Sequence, residues 1–131
     1  RHGYAEGVVL DVHGYVSEGS GQNVFLVQKG RLYTPPIGES ILAGITRHAV
    51  IQLAGDLGVE VREQRIPREM LYTCDEMFFT GTVAEITPIK SVDGKPVGTG
   101  LRGPITARLQ QRYYAIARGE VEDQRGWLVR V

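Results

Sequence analysis

Three short stretches carry residue types able to hold an anion. The first is Ala43-Gly44-Ile45-Thr46, at the start of a helical pattern. The first four amides of a helix have no internal partner, and the macrodipole makes that end positive. Gly44 lets a ligand oxygen approach the backbone and the Thr46 hydroxyl adds a donor, so a phosphate would sit well there. An ordinary capped helix start leaves the same amides free. The second stretch, Ser17-Glu18-Gly19-Ser20-Gly21-Gln22-Asn23, lies between two strand patterns. Small neighbours shield the Glu18 carboxylate poorly, so a flat ring could lie against it; a surface turn with an exposed glutamate reads the same way. The third is Thr80-Gly81-Thr82-Val83-Ala84-Glu85. Glycine between threonines at a strand break frees amides beside hydroxyls, which makes either an anion-binding nest or a bulge in a structural strand. None is specific alone, but all three could converge on one phosphorylated ring.

Other reactive side chains form no such pattern. His2, His13 and His48 lack metal-ligand spacing, so no metal site is expected. Cys74 stands beside Asp75 and Glu76, whose charges would raise its pKa, so it reads as a small buried residue rather than a nucleophile. The lysines are Lys29, Lys90 and Lys95, at turns or a strand end, and each reads as a solvated amine. Tyr113, Tyr114 and Trp127 read as packing residues, and Asp11 as a strand-end acid.

The elements that must position these groups follow from periodicity. Residues 7–12 read as a buried strand ended by His13-Gly14. Residues 23–28 and 31–34 form a hairpin across Lys29-Gly30, stopped by Pro35-Pro36, which have no amide to give a ladder. From Gly44 to Leu57 the period becomes helical, with Ile45, Ala49, Leu53 and Leu57 on one stripe and Gly58 as a left-handed cap. Val59–Ile66 alternates as a half-buried strand, and Pro67 suits the first position of a short helix through Tyr72. Strands at 76–80 and 83–90 flank a Gly81-Thr82 kink, and Asp93-Gly94 marks a hairpin turn. Pro104 opens a last helix with Ile105, Leu109, Tyr113 and Ala117 on one stripe, ended by Gly119.

A chain of 131 residues fits one domain. Its 42% hydrophobic and 23% charged residues are ordinary for a globular protein. Fifteen basic and fifteen acidic side chains cancel, so no net field draws it to nucleic acid or an anionic membrane. Apolar runs are too short to span a bilayer. The lone cysteine fits a reducing cytoplasm.

In this order and spacing the segments resemble the fold-type IV, class IV aminotransferases that use pyridoxal 5'-phosphate, most closely those acting on branched-chain amino acids. The matching stretches include Gly14-Tyr15-Val16-Ser17-Glu18-Gly19, Asn23-Val24-Phe25, Thr34-Pro35-Pro36, Gly44-Ile45-Thr46-Arg47, Phe79 through Pro88, and Gly103-Pro104-Ile105-Thr106. The resemblance implies an α+β fold, a hairpin-rich, barrel-like sheet with surrounding helices, with residues 1–131 as the large C-terminal cofactor-binding domain. It implies that Glu18 pairs with the pyridine nitrogen, and that Ile45, Thr46 and Thr82 hold the phosphate beside Gly44 and Gly81. Gly21 falls where the backbone stays close to the ring, and the amides of Thr82 and Val83 face the substrate carboxylate. Implied partners are leucine, isoleucine or valine with 2-oxoglutarate, and further copies of the chain in a cytoplasmic homo-oligomer.

The resemblance also implies a lysine that bonds covalently to the cofactor and shuttles the proton, in a position upstream of Arg1. The family's upstream tyrosine and its small N-terminal domain are expected there too. The 131 residues alone are therefore expected to show no transamination, and to expose apolar surface meant for the rest of the protein. The alternatives are a D-amino-acid aminotransferase or aminodeoxychorismate lyase of the same fold, or a non-catalytic binding or assembly module without a lysine.

Overall fold

The computed structural model describes residues 15–16, 23–36, 45–81 and 85–119. Its centre is a five-stranded sheet in the order β4-β3-β2-β6-β7. The central strands β2 (Asn23–Gln28) and β6 (Glu76–Gly81) are buried on both faces, and β3 (Arg31–Thr34) is buried beyond its first residue. That is why these segments read as near-continuous apolar runs. The edges are β4 (Val61–Glu63) and β7 (Glu85–Pro88), and the ladder is open between them among the described residues.

The β2–β3 hairpin forms where the residue types require it. Lys29 and Gly30 take φ of 51° and 76°, the paired left-handed conformation that matches strand twist in a two-residue turn. Asp93-Gly94 repeats it between β8 (Ser91–Val92) and β9 (Lys95–Pro96). β3, helix α1 (Ile45–Asp56) and β4 form a β-α-β unit, with β3 and β4 parallel. Gly58 closes α1 at a positive φ as expected.

Two apolar clusters hold the sheet between layers. On one face Phe25, Val27 and Phe78 meet Ala49, Val50, Leu53 and Ala54 of α1 and Leu109, Tyr113 and Ile116 of helix α3 (Pro104–Ala117). Phe25 and Phe78 stack with centroids 5.0 Å apart. On the other face Val24, Leu26, Met77 and Phe79 pack with Tyr33, Ile66, Leu71, Cys74, Ile89 and Val97.

Three expectations change. Val59–Ile66 is not one half-buried strand: β4 ends at Glu63, and β5 (Ile66–Pro67) pairs instead with β1 (Tyr15–Val16). Arg62 to Arg65, at the end of β4 and in the link to β5, are exposed, so the alternation there reflects an edge rather than a buried face. Pro67 lies in β5 opposite Tyr15, and the short helix α2 begins only at Met70 and runs to Thr73. A two-residue edge ladder tolerates the missing amide. In place of the expected Gly81-Thr82 kink, the described residues on either side are paired: Gly81 stands opposite Glu85, and β6 runs antiparallel to β7. Exposed large apolar side chains among the described residues are Tyr72 and Leu101, not a continuous face. The 7–12 strand, Asp11, His2, His13 and Trp127 lie outside the described residues.

Candidate functional site

The strand register brings the anchors of all three sequence stretches to one end of the sheet. Asn23, where the Ser17–Gln22 stretch enters β2, pairs with Thr80 near the end of β6, and Gly81 leads into Thr82. Val16, on the other side of that stretch, pairs with Ile66. β3 ends at the same edge: the buried Thr34 hydroxyl donates to Val24 O at 2.7 Å. Where Pro35-Pro36 end the ladder, this bond keeps β3 on β2.

Helix α1 starts at this end too. The Arg47 side chain is 4% exposed; its Nη2 donates to Pro35 O at 3.1 Å and to Glu63 Oε1 at 2.9 Å. One guanidinium thereby ties the first turn of α1 to the carboxyl ends of both parallel strands. That is the side of a parallel unit where ligands gather in open sheets. Thr46 is buried in the same turn. No acidic residue stands in the first turn of α1. Among the described residues, no carboxylate accepts from its first amides.

Of the residues given roles by resemblance, Thr46, Gly81 and the backbone of Ile45 are therefore gathered at one end. Glu18, Gly21, Gly44, Thr82 and Val83 lie outside the described residues, in segments whose neighbours Asn23, Ile45, Gly81 and Glu85 flank that end. Two buried polar atoms there lack a hydrogen-bond partner, Arg47 Nε and Thr80 Oγ1. A helix start, a buried threonine and an orphaned hydroxyl fit a phosphorylated ligand. Among the described residues no group of histidine, cysteine or carboxylate side chains could hold a metal ion.

The lysines present are at other places. Lys29, Lys90 and Lys95 are exposed, and Lys95 Nζ lies 5.5 Å from the centroid of the Tyr72 ring. Burial first, and Asp75 second, push the Cys74 thiol up to about 12, so it stays protonated at neutral pH.

Sequence reasoning missed what fixes α3. Glu76, buried at the far end of β6, accepts from Ile105 N (3.1 Å), Thr106 N (2.8 Å) and Thr106 Oγ1 (2.8 Å). Tyr114 is more than packing: its hydroxyl accepts from Ile86 N at 3.0 Å, while Gln110 Nε2 donates to Ile86 O at 2.7 Å. α3 thus covers the β7 edge just after residues 82–84. The only local sign was Gly103-Pro104, a helix start with no capping side chain of its own.

Comparison with known proteins agrees with this architecture. The family model of class IV amino-transferases matches residues 1–92. The chain belongs to the class IV amino-transferase family. More particularly, it is 57% identical over 131 residues to the branched-chain-amino-acid aminotransferase of Escherichia coli (strain K12), covering 100% of this chain and 42% of that protein. A probable branched-chain-amino-acid aminotransferase of Aquifex aeolicus (strain VF5) is 48% identical over 130 residues, covering 98% of this chain and 42% of that protein. The crystal structure of the Escherichia coli enzyme superposes with a TM-score of 0.91 at 56% identity, over 98% of this chain and 43% of that one. The T.th. branched-chain amino acid aminotransferase complexed with N-(5'-phosphopyridoxyl)-L-glutamate gives 0.86 at 44% identity, over 93% of this chain and 41% of that one. The chain spans about 42% of the length of the curated relatives it matches. Among the described residues, no helix is long and apolar enough to cross a membrane.

Proposed function

We propose that the full-length protein is a pyridoxal-phosphate-dependent aminotransferase of branched-chain amino acids, with 2-oxoglutarate as amino acceptor. Residues 1–131 are its C-terminal cofactor-binding domain. The observation that carries this reading is the meeting of all three anion-suited stretches, by their anchors, at the end of the sheet where α1 begins. The identity to branched-chain aminotransferases along the whole chain supports the substrate class.

When bound, the cofactor supplies an electron sink for the pair released as the amino acid loses its α-proton. The residues of this chain hold and tune it. Glu18 keeps the pyridine nitrogen protonated, because a carboxylate beside it favours the charged ring. The amides of Ile45 and Thr46, the Thr46 hydroxyl and Thr82 hold the phosphate, with Gly44 and Gly81 allowing close approach and Gly21 leaving room at the ring. The amides of Thr82 and Val83 orient the substrate carboxylate. The lysine that moves the proton belongs to the stretch upstream of Arg1. A cytoplasmic homo-oligomer, dimer or larger, belongs to the same proposal.

Borohydride reduction of the full-length protein with pyridoxal 5'-phosphate, followed by peptide mass analysis, tests this. The adduct is expected on an upstream lysine; an adduct on Lys29, Lys90 or Lys95 refutes the assignment, and no adduct at all favours a non-catalytic module. Turnover of L-leucine, L-isoleucine and L-valine is expected. Preference for D-amino acids, or release of a lyase product, would move the protein to another branch of the fold. Sedimentation velocity reads the oligomer directly.

A further inference from the structure

We propose that the Thr80 hydroxyl is an additional hydrogen-bonding group of the phosphate-binding end, donating to the bound anion directly or through a single water. The proposal rests on the cofactor reading above. Thr80 is 1% exposed, and its Oγ1 has no hydrogen-bond partner among the described residues. Strand alternation puts Thr80 on the same face of β6 as Phe78, the face that α1 and α3 cover. Its cross-strand neighbours are Asn23, where the Glu18 stretch enters the sheet, and Ile86 of β7. Thr82 follows two residues later.

Two other buried threonine hydroxyls, those of Thr34 and Thr106, are paired within the fold. Thr34 Oγ1 donates to Val24 O, and Thr106 Oγ1 donates to Glu76. A buried hydroxyl without a partner is costly, and valine would fill nearly the same volume without that cost. β-Branched residues suit a buried central strand, so the shape of Thr80 is explained by packing. Its oxygen is not. The hydroxyl lies at the end of the sheet where α1 begins, and an arriving anion supplies the acceptor that it lacks.

The test uses the full-length protein carrying Thr80→Val, Thr80→Ala or Thr80→Ser. Thermal unfolding is measured without cofactor, and binding is measured with pyridoxal 5'-phosphate and with inorganic phosphate. Thr80→Val is expected to raise the melting temperature of the cofactor-free protein by about 2–4 °C. The same variant should bind both anions roughly five- to tenfold more weakly. Thr80→Ala should lose affinity similarly, and Thr80→Ser should stay within about twofold of the parent. Opposite signs for stability and affinity are not produced by a merely structural threonine. Unchanged affinity in Thr80→Val and Thr80→Ala overturns the proposal, as does a Thr80→Val protein that is destabilised or fails to fold without cofactor. If the unsubstituted protein binds neither pyridoxal 5'-phosphate nor phosphate, the cofactor reading itself fails; if it binds both and the valine variant binds equally, only the role of Thr80 falls.

Discussion

The two long helices begin at opposite ends of one sheet, and their first turns are treated differently. At the start of α3 the protein supplies its own anion: the Glu76 carboxylate accepts from two backbone amides and the Thr106 hydroxyl. Gly103 makes room, since a Cβ built there would fall on the Glu76 side chain. At the start of α1 the neighbouring charges are a buried arginine and the Glu63 carboxylate paired with it, and among the described residues no carboxylate meets the first amides. A cation near a helix N-terminus opposes the dipole, so Arg47 sits where the helix alone would disfavour it. A filled first turn is structural. One that no carboxylate among the described residues closes suits an incoming phosphate.

The largest effect should come from unplugging α3. Glu76→Ala leaves buried donors unpaired and should cost about 2–4 kcal/mol in denaturant unfolding of the full-length protein. A cost near zero would mean that α3 does not need its plug, and the contrast between the helices would dissolve. Gly103→Ala should cost about 1–3 kcal/mol through overpacking against Glu76. In a Glu76→Ala background most of that cost should vanish, because the two changes share one contact. Additive costs would mean that the glycine serves its backbone instead.

The smallest effect on stability concerns Cys74, beside the plugged end. Its thiol, pushed up to about 12, should react with a disulfide reagent at pH 8 more than about a hundredfold slower in the folded protein than in urea. The raised value also sets the sign with pH. The buried neutral thiol contributes fully below its unfolded pKa of about 8.5, and that contribution is lost as pH climbs through the folded value. Rapid labelling of native protein would show that end to be open.

Much of the frame was legible before any fold was known. The β2–β3 hairpin fell at 23–28 and 31–34, and Gly58 and Asp93-Gly94 took the left-handed conformations expected of them. These are local: a turn pair, a proline stop and a helical stripe are decided within a few residues. Val59–Ile66 failed because alternation does not say which neighbour a strand has. Its first half found β3 and its last residues found β1.

The site divides along the same line. Gly44-Ile45-Thr46, Ser17–Asn23 and Thr80–Glu85 could be picked out from residue types, because glycines beside hydroxyls and amides make anion-holding backbone wherever they occur. That their anchors meet was decided by register: Asn23 opposite Thr80, and Arg47 on Pro35 O and Glu63. The same holds for Glu76, which caps a helix that begins far along the chain. The local sequence determined which backbone could receive an anion. Only the tertiary structure decided which helix start would be closed by the protein's own carboxylate, because that depends on pairings between residues tens of positions apart.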